Sequence, residues 1–234
     1  MSPGTDATAI LKEIEAMGCA RNRAGMSRYG INVDRAHGVS VTQLRRIARE
    51  HGRDHPLAVA LWDSGIHEAR ILATIVAEPK QASAEQVDAW VGDLNSWDLA
   101  DGFCNNFVRK SALAWERARS WPRDDRTFVR RAGFSLQANL AVHDGKAGDG
   151  DFIALLPLIR QYACDDRNFV MKAVNWSLRQ IGKRNRRLNA AAVAMAEDLV
   201  KDEAKSARWI GRDALRELTS DKVQARLAAK EKRA

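Results

Sequence analysis

Two groups of residues in the sequence have types and spacing suited to chemistry. In Asn95-Ser96-Trp97-Asp98-Leu99-Ala100-Asp101, either Asn95 or Ser96 offers a side-chain oxygen that can cap the first amides of a helix. A helix begun there sets Trp97 and Asp101 four residues apart on one face. Leu99, Phe103 and Phe107 fall on a different side, at about 100° per residue, and mark the face that builds a core. An aromatic ring and a carboxylate therefore stand side by side away from the core face. The second group lies between residues 170 and 183. Val170, Ala173, Val174, Ser177, Leu178 and Ile181 make one side of a helix, and Lys172, Trp176, Arg179 and Lys183 make the other. A tryptophan among three cations suits a groove that grips phosphates while the ring meets a sugar or a base.

Each group alone has a plainer reading. A half-buried Trp with a solvated first-turn Asp is ordinary near a helix N-terminus, and a charge run is ordinarily a solvated face. The coincidence shifts the balance. Arg131 stands away from the inward set Val129, Ala132, Leu136 and Leu140, so Trp97, Asp101, Arg131 and Trp176 are all expected off their core faces.

The elements that must carry these residues read as helical from end to end, without the alternation of a strand. A first helix runs from a Thr5/Asp6 cap to Gly18, and residues 22–38, with three glycines, read as loop or broken helix. Ser40 caps a helix to Glu50 that Gly52 ends, and further helices span about Pro56–Trp62, His67–Ala77 and Ser83–Val91. The Trp97 helix and its continuation are expected to reach Arg119, where Trp121-Pro122 breaks them. Residues 144–151 read as a surface loop, and the Ala-, Lys- and Arg-rich tail after Thr219 as a fraying terminal helix.

An internal repeat organises the second half. The stretch 124–132 recurs at 165–173, 41 residues later, with six of nine positions identical. A further step of 41 reaches Ala214, inside a third and fainter copy. Such a period in an all-helical chain indicates stacked helix pairs of the HEAT or armadillo kind, each covering the apolar face of its neighbour. The expected fold is all-α, one solenoid of HEAT-like repeats over residues 1–234 with a basic concave face. Residues 1–38 are its less regular start and 220–234 its frayed end.

At 234 residues and 45% apolar content the chain can bury a sizeable core. With 38 Lys and Arg against 30 Asp and Glu it carries +8, which favours an anionic partner such as nucleic acid. Nothing approaches the roughly 20 apolar residues of a membrane span. Cys19, Cys104 and Cys164 are odd in number and far apart, so they read as buried thiols of a reducing cytosol, with no disulfide frame or zinc site. The five histidines read as structural or surface residues.

From about Met26 to Leu218 the sequence resembles the DNA alkylation repair glycosylases built of HEAT-like repeats. The residues that carry the likeness are 96–101 (Ser-Trp-Asp-Leu-Ala-Asp), Arg130-Arg131-Ala132, 172–179 (Lys-Ala-Val-Asn-Trp-Ser-Leu-Arg), and 66–70 (Ile-His-Glu-Ala-Arg) with Leu72 and Ala73 after it. The resemblance implies that Asp101 is the catalytic carboxylate, and that Trp97 and Trp176 are two indoles contacting the backbone and sugar of the lesion nucleotide. It implies that Arg131 is the active-site arginine, with Arg130 the alternative one position away, and that Arg179 is a cation near the phosphates. Relatives can carry a second aromatic just before the matching Trp, where this chain has Ser96.

The function expected on these grounds is hydrolysis of the N-glycosidic bond of purines alkylated at N3 or N7 in duplex DNA, as in base excision repair. The enzyme would be a monofunctional DNA glycosylase. Asp101, Trp97, Trp176 and Arg131 would do the chemistry, Lys172, Arg179, Lys183 and Arg130 would bind DNA, and no metal or organic cofactor is implied. The partner is duplex DNA containing alkylated bases, not a membrane. The protein is expected to act as a cytoplasmic monomer, associated with the nucleoid when DNA-bound. The rival reading is a catalytically silent HEAT-repeat scaffold that binds DNA or a protein.

Overall fold

The computed structural model describes residues 7–232, so the expected Thr5/Asp6 cap lies outside the described residues. Among them all regular structure is helical, α-helices joined by short loops and 3-10 turns. No helix of the described residues is long and apolar enough to cross a membrane. The chain forms two compact units, one ending at Leu113 and the other beginning at Ala114.

The first unit contains α1 (Ala7–Ala16), α2 (Ala20–Arg28), α3 (Val41–His51), α4 (His55–Asp63), α5 (His67–Val76), α6 (Ala84–Gly92) and α7 (Trp97–Asn106). Several starts follow from their caps. Ser40 and Gln43 form a reciprocal capping box, Asp54 accepts from the Leu57 amide, and Ser83 accepts from the Gln86 amide. The core is aromatic: Trp62 stacks on Trp90 with centroids 4.3 Å apart, and Phe103 and Phe107 tilt against Trp90. Leu99, Phe103 and Phe107 are fully buried, so the predicted core face of α7 is its core face.

Three sequence expectations are decided in this unit. Of the two readings of residues 22–38, the broken helix holds: 22–28 belong to α2, and the loop is confined to 29–40. The Trp97 helix stops at Asn106 instead of reaching Arg119. At that end Arg109 Nε donates to the Asn105 carbonyl at 2.6 Å, and the Asn106 side-chain amide donates to the Thr74 hydroxyl at 3.0 Å. Of the three thiols only Cys104 is buried; Cys164 is exposed and Cys19 intermediate.

The second unit contains α8 (Ala114–Ser120), α9 (Thr127–His143), α10 (Asp149–Ile153), α11 (Leu156–Tyr162), α12 (Asn168–Gly182), α13 (Arg186–Val200), α14 (Lys205–Leu218) and α15 (Asp221–Glu231). Helix α9 packs on α12 and α12 on α14, while α8, α11 and α13 back them in turn. This is the stacked-pair arrangement of HEAT-like repeats. The expected loop at 144–151 is a short turn followed by α10.

The repeat is visible at atomic level. Asp124 takes the amide of Arg126 at 2.8 Å and its guanidinium at 3.0 and 2.8 Å, just before α9. Asp165 does the same with Arg167, at 3.1, 2.9 and 2.5 Å, just before α12. Before α14, Asp202 takes the Ala204 amide at 2.8 Å, so the third copy starts 37 residues after Asp165, not 41. Close packing of these layers has a strict requirement at Gly133 of α9, where a Cβ would meet Pro122 of the preceding 3-10 turn at 2.4 Å.

Candidate nucleic-acid interface

Helix α7 presents Trp97 and Asp101 one turn apart, both half-buried, on the side away from Leu99, Phe103 and Phe107. Ser96 holds the N-cap position with extended backbone, but its side chain makes no capping bond to the helix. Trp97 is fixed from outside its helix: the indole Nε1 donates to the Tyr29 carbonyl at 3.0 Å. That carbonyl belongs to the C-cap residue of α2, where an unpaired carbonyl is available. The orientation of Trp97 therefore depends on a helix in a region that sequence patterning reads as loop or broken helix.

Beside Trp97 lies a cavity of about 760 Å³ in the first unit, whose walls include Tyr29, Met26, Ile71, Trp97, Asp98, Arg21 and Arg28. One wall holds a part-buried pair. His67 Nε2 lies 2.9 Å from Asp98 Oδ2. Burial by itself would raise the Asp98 carboxyl; the hydrogen bond and charge of His67 outweigh it and hold Asp98 below the usual aspartate range. Asp98 follows Trp97 directly, but a lone His thirty residues away gives no sequence signal of the pairing.

The loop under the cavity is held by Glu68. This carboxylate is fully buried and accepts the amides of His37 at 3.0 Å, Gly38 at 2.7 Å and Val39 at 3.2 Å. Gly38 has φ +84°, and a Cβ there would lie 2.3 Å from the Cys19 carbonyl, so the amide nest requires glycine.

In the second unit Arg131 is not a surface cation. It is 6% exposed and donates to the Phe169 carbonyl at 2.7 Å. The reason is that α9 is enclosed on every side, every residue from Val129 to Ala141 being buried, so it has no solvent face for a 3.6-residue period to reveal. Arg130, 8% exposed, is committed as well: its guanidinium pairs with Asp165 at 2.7 Å and Asp125 at 2.9 Å, and lies over the Tyr162 ring. Both guanidinia serve the packing of the unit, contrary to the sequence expectation of an exposed cation.

The face of α12 agrees with its predicted phase. Val170, Ala173, Val174, Ser177, Leu178 and Ile181 are buried, Trp176 is half-buried and Lys172 is exposed. Arg179 and Lys183 are not open cations, since each meets a Glu217 oxygen at 2.5 Å. Burial would raise Glu217; the hydrogen bond from Lys183 and the charges of Arg179 and Lys183 prevail and lower it. Among the described residues no three His, Cys, Asp or Glu side chains gather as a metal site.

Comparison with known proteins agrees with this architecture. No curated protein matches the sequence. One solved structure, described as "a new family of proteins related to the HEAT-like repeat DNA glycosylases with affinity for branched DNA structures", superposes with a TM-score of 0.76. It is 21% identical, and the alignment covers 91% of this chain and 95% of that one. At that identity the likeness establishes the HEAT-like fold. The family of DNA alkylation repair enzymes matches residues 10–218, which takes in most of each unit and the candidate residues of α7, α9 and α12. The chain therefore belongs to the DNA alkylation repair enzyme family.

Proposed function

We propose that the protein is a monofunctional DNA glycosylase that releases cationic N3- and N7-alkylpurines from duplex DNA. The observation that carries this reading is the placement of Trp97 and Asp101 together on α7, off a fully buried core face, in a chain of this family. An alkylated ring nitrogen makes the purine cationic, so it departs without protonation. The electron pair of the glycosidic bond passes to the base and neutralises it. Positive charge develops on the sugar, where a carboxylate and an indole face stabilise it. Water bonds to the vacated carbon and gives up a proton, and Asp101 is placed to orient that water and accept the proton. Trp176 and Lys172 of the second unit are assigned to DNA contact on their exposure. The protein acts as a cytoplasmic monomer on this reading.

The test is release of free base from duplexes carrying one N7-methylguanine, comparing the parent protein with Asp101→Asn. Release by the parent that drops at least a hundredfold in the variant supports the assignment. A second reading, DNA binding without excision, draws support from the affinity for branched DNA stated for the structural neighbour. A parent protein that binds DNA and releases no base would establish it.

A further inference from the structure

Helix α14 repeats the side-chain pattern of α12 and exposes it more fully. Lys172, Trp176, Arg179 and Lys183 on α12 follow the spacing i, i+4, i+7, i+11. Lys205, Trp209, Arg212 and Arg216 on α14 follow the same spacing. At helical pitch the four lie within about 60° of one another. On α12 two of the three cations are neutralised by Glu217. On α14 all four residues are exposed: Trp209 is 41% exposed and has no ring or hydrogen-bond partner among the described residues. Lys205 and Arg212 have no ion-pair partner among the described residues, and Arg216 pairs with Asp213 through a side chain that stays largely in solvent.

We propose that this face of α14 binds nucleic acid where bases are unpaired, its cations holding phosphates and Trp209 stacking on an exposed base. The charge excludes the competing partner. Of the carboxylates of the same helix, Glu217 turns aside to Arg179 and Lys183 at the end of α12, and Asp213 is shared between Asn175 of α12 and Arg216. Trp209 is the one large apolar side chain that α14 exposes, whereas a protein-docking face carries a contiguous apolar centre. An isolated indole between cations matches a single strand, in which phosphates and base faces alternate. Within a duplex the grooves display base edges and the base faces are covered by stacking, so the ring finds its partner in the unpaired arms of forks and branch points. The inference rests on the DNA-binding part of the reading above and names a substrate feature that reading leaves open.

The experiment measures binding of the full chain to two labelled probes of equal length, a blunt duplex and a fork with two unpaired arms. Trp209→Ala is expected to weaken fork binding about tenfold or more and to leave blunt-duplex binding within twofold. Trp209→Phe keeps most of the fork affinity, which a merely structural role for the indole would not require. Lys205→Ala with Arg212→Ala weakens binding to both probes and lowers the salt slope by roughly two. Equal loss on both probes, or no loss on either, overturns the inference, the second result pointing to a protein partner. Base release is scored in parallel. A parent that binds forks through Trp209 and releases no base removes the catalytic reading alone. One that releases base while Trp209→Ala keeps its fork affinity removes this inference alone.

Discussion

The Glu68 carboxylate receives the Gly38 amide at 2.7 Å, inside a nest of three consecutive backbone amides. A side chain thirty residues away thus fixes the loop beneath the Trp97 cavity. Glu68→Gln keeps the volume but replaces one acceptor oxygen with an NH2 that opposes amide donors. The expected cost is about 3 kcal/mol, a fall of roughly 6–12 °C in Tm for a chain of this size. Thermal unfolding by circular dichroism reads it directly, and an unchanged Tm would mean that the nest is dispensable.

Asp101→Asn removes the charge and keeps the shape. Base release should fall by at least two orders of magnitude, about 3 kcal/mol of transition-state stabilisation. DNA binding should persist or tighten, since a negative charge near phosphates is lost. Release within tenfold of the parent protein would place the catalytic carboxylate elsewhere.

Salt dependence separates the open cations from the committed ones. Lys172 is exposed, so Lys172→Ala should lower the log–log salt slope of duplex binding by about one. Lys183 is held by Glu217, and Lys183→Ala should change the slope by less than half of that. Equal effects of the two substitutions would show that Lys183 leaves Glu217 when DNA arrives.

Much of this could be read before the structure. The caps at Ser40 and Ser83 and the core faces of α7 and α12 follow from local chemistry, which the sequence displays directly. Arg131 could not be read, because periodicity reports one apolar side and is silent when neighbours enclose the opposite side too. Between loop and broken helix for residues 22–38 the sequence does not decide, because the residues of α2 are polar and none is buried, so no apolar stripe marks it. The His67–Asp98 pair and the Glu68 nest join residues about thirty apart, a relation that spacing along one helix cannot express. The α14 face shows in its spacing alone, because it lies 33 residues after the α12 pattern and so matches neither the 41-residue step nor the 37-residue start of the third copy.

Acid should loosen the charge network around Asp165 in the second unit. Burial would raise Asp165; hydrogen bonds from Arg167 and Arg130 outweigh it and hold the carboxyl low. A lowered folded-state value means that its stabilisation is complete above the unfolded value, about 3.9, and is lost as pH falls through the folded one. Asp165→Asn should therefore cost about 3 kcal/mol at neutral pH, with the difference from the parent shrinking below pH 4. A difference that stays constant down to pH 2 would assign the cost to packing instead of charge.

The links between the two clear repeats run in both directions. Arg130 reaches forward from α9 to Asp165, and Arg167 reaches back from the next repeat to the Asp125 carbonyl at 2.6 Å and the Thr127 hydroxyl at 3.1 Å. Neither helix start is complete without the other. In a linear array each module ordinarily unravels as a near-independent neighbour. Here the amides opening α9 and those opening α12 should become available to deuterium together, as one cooperative opening event, although they lie 41 residues apart in the chain.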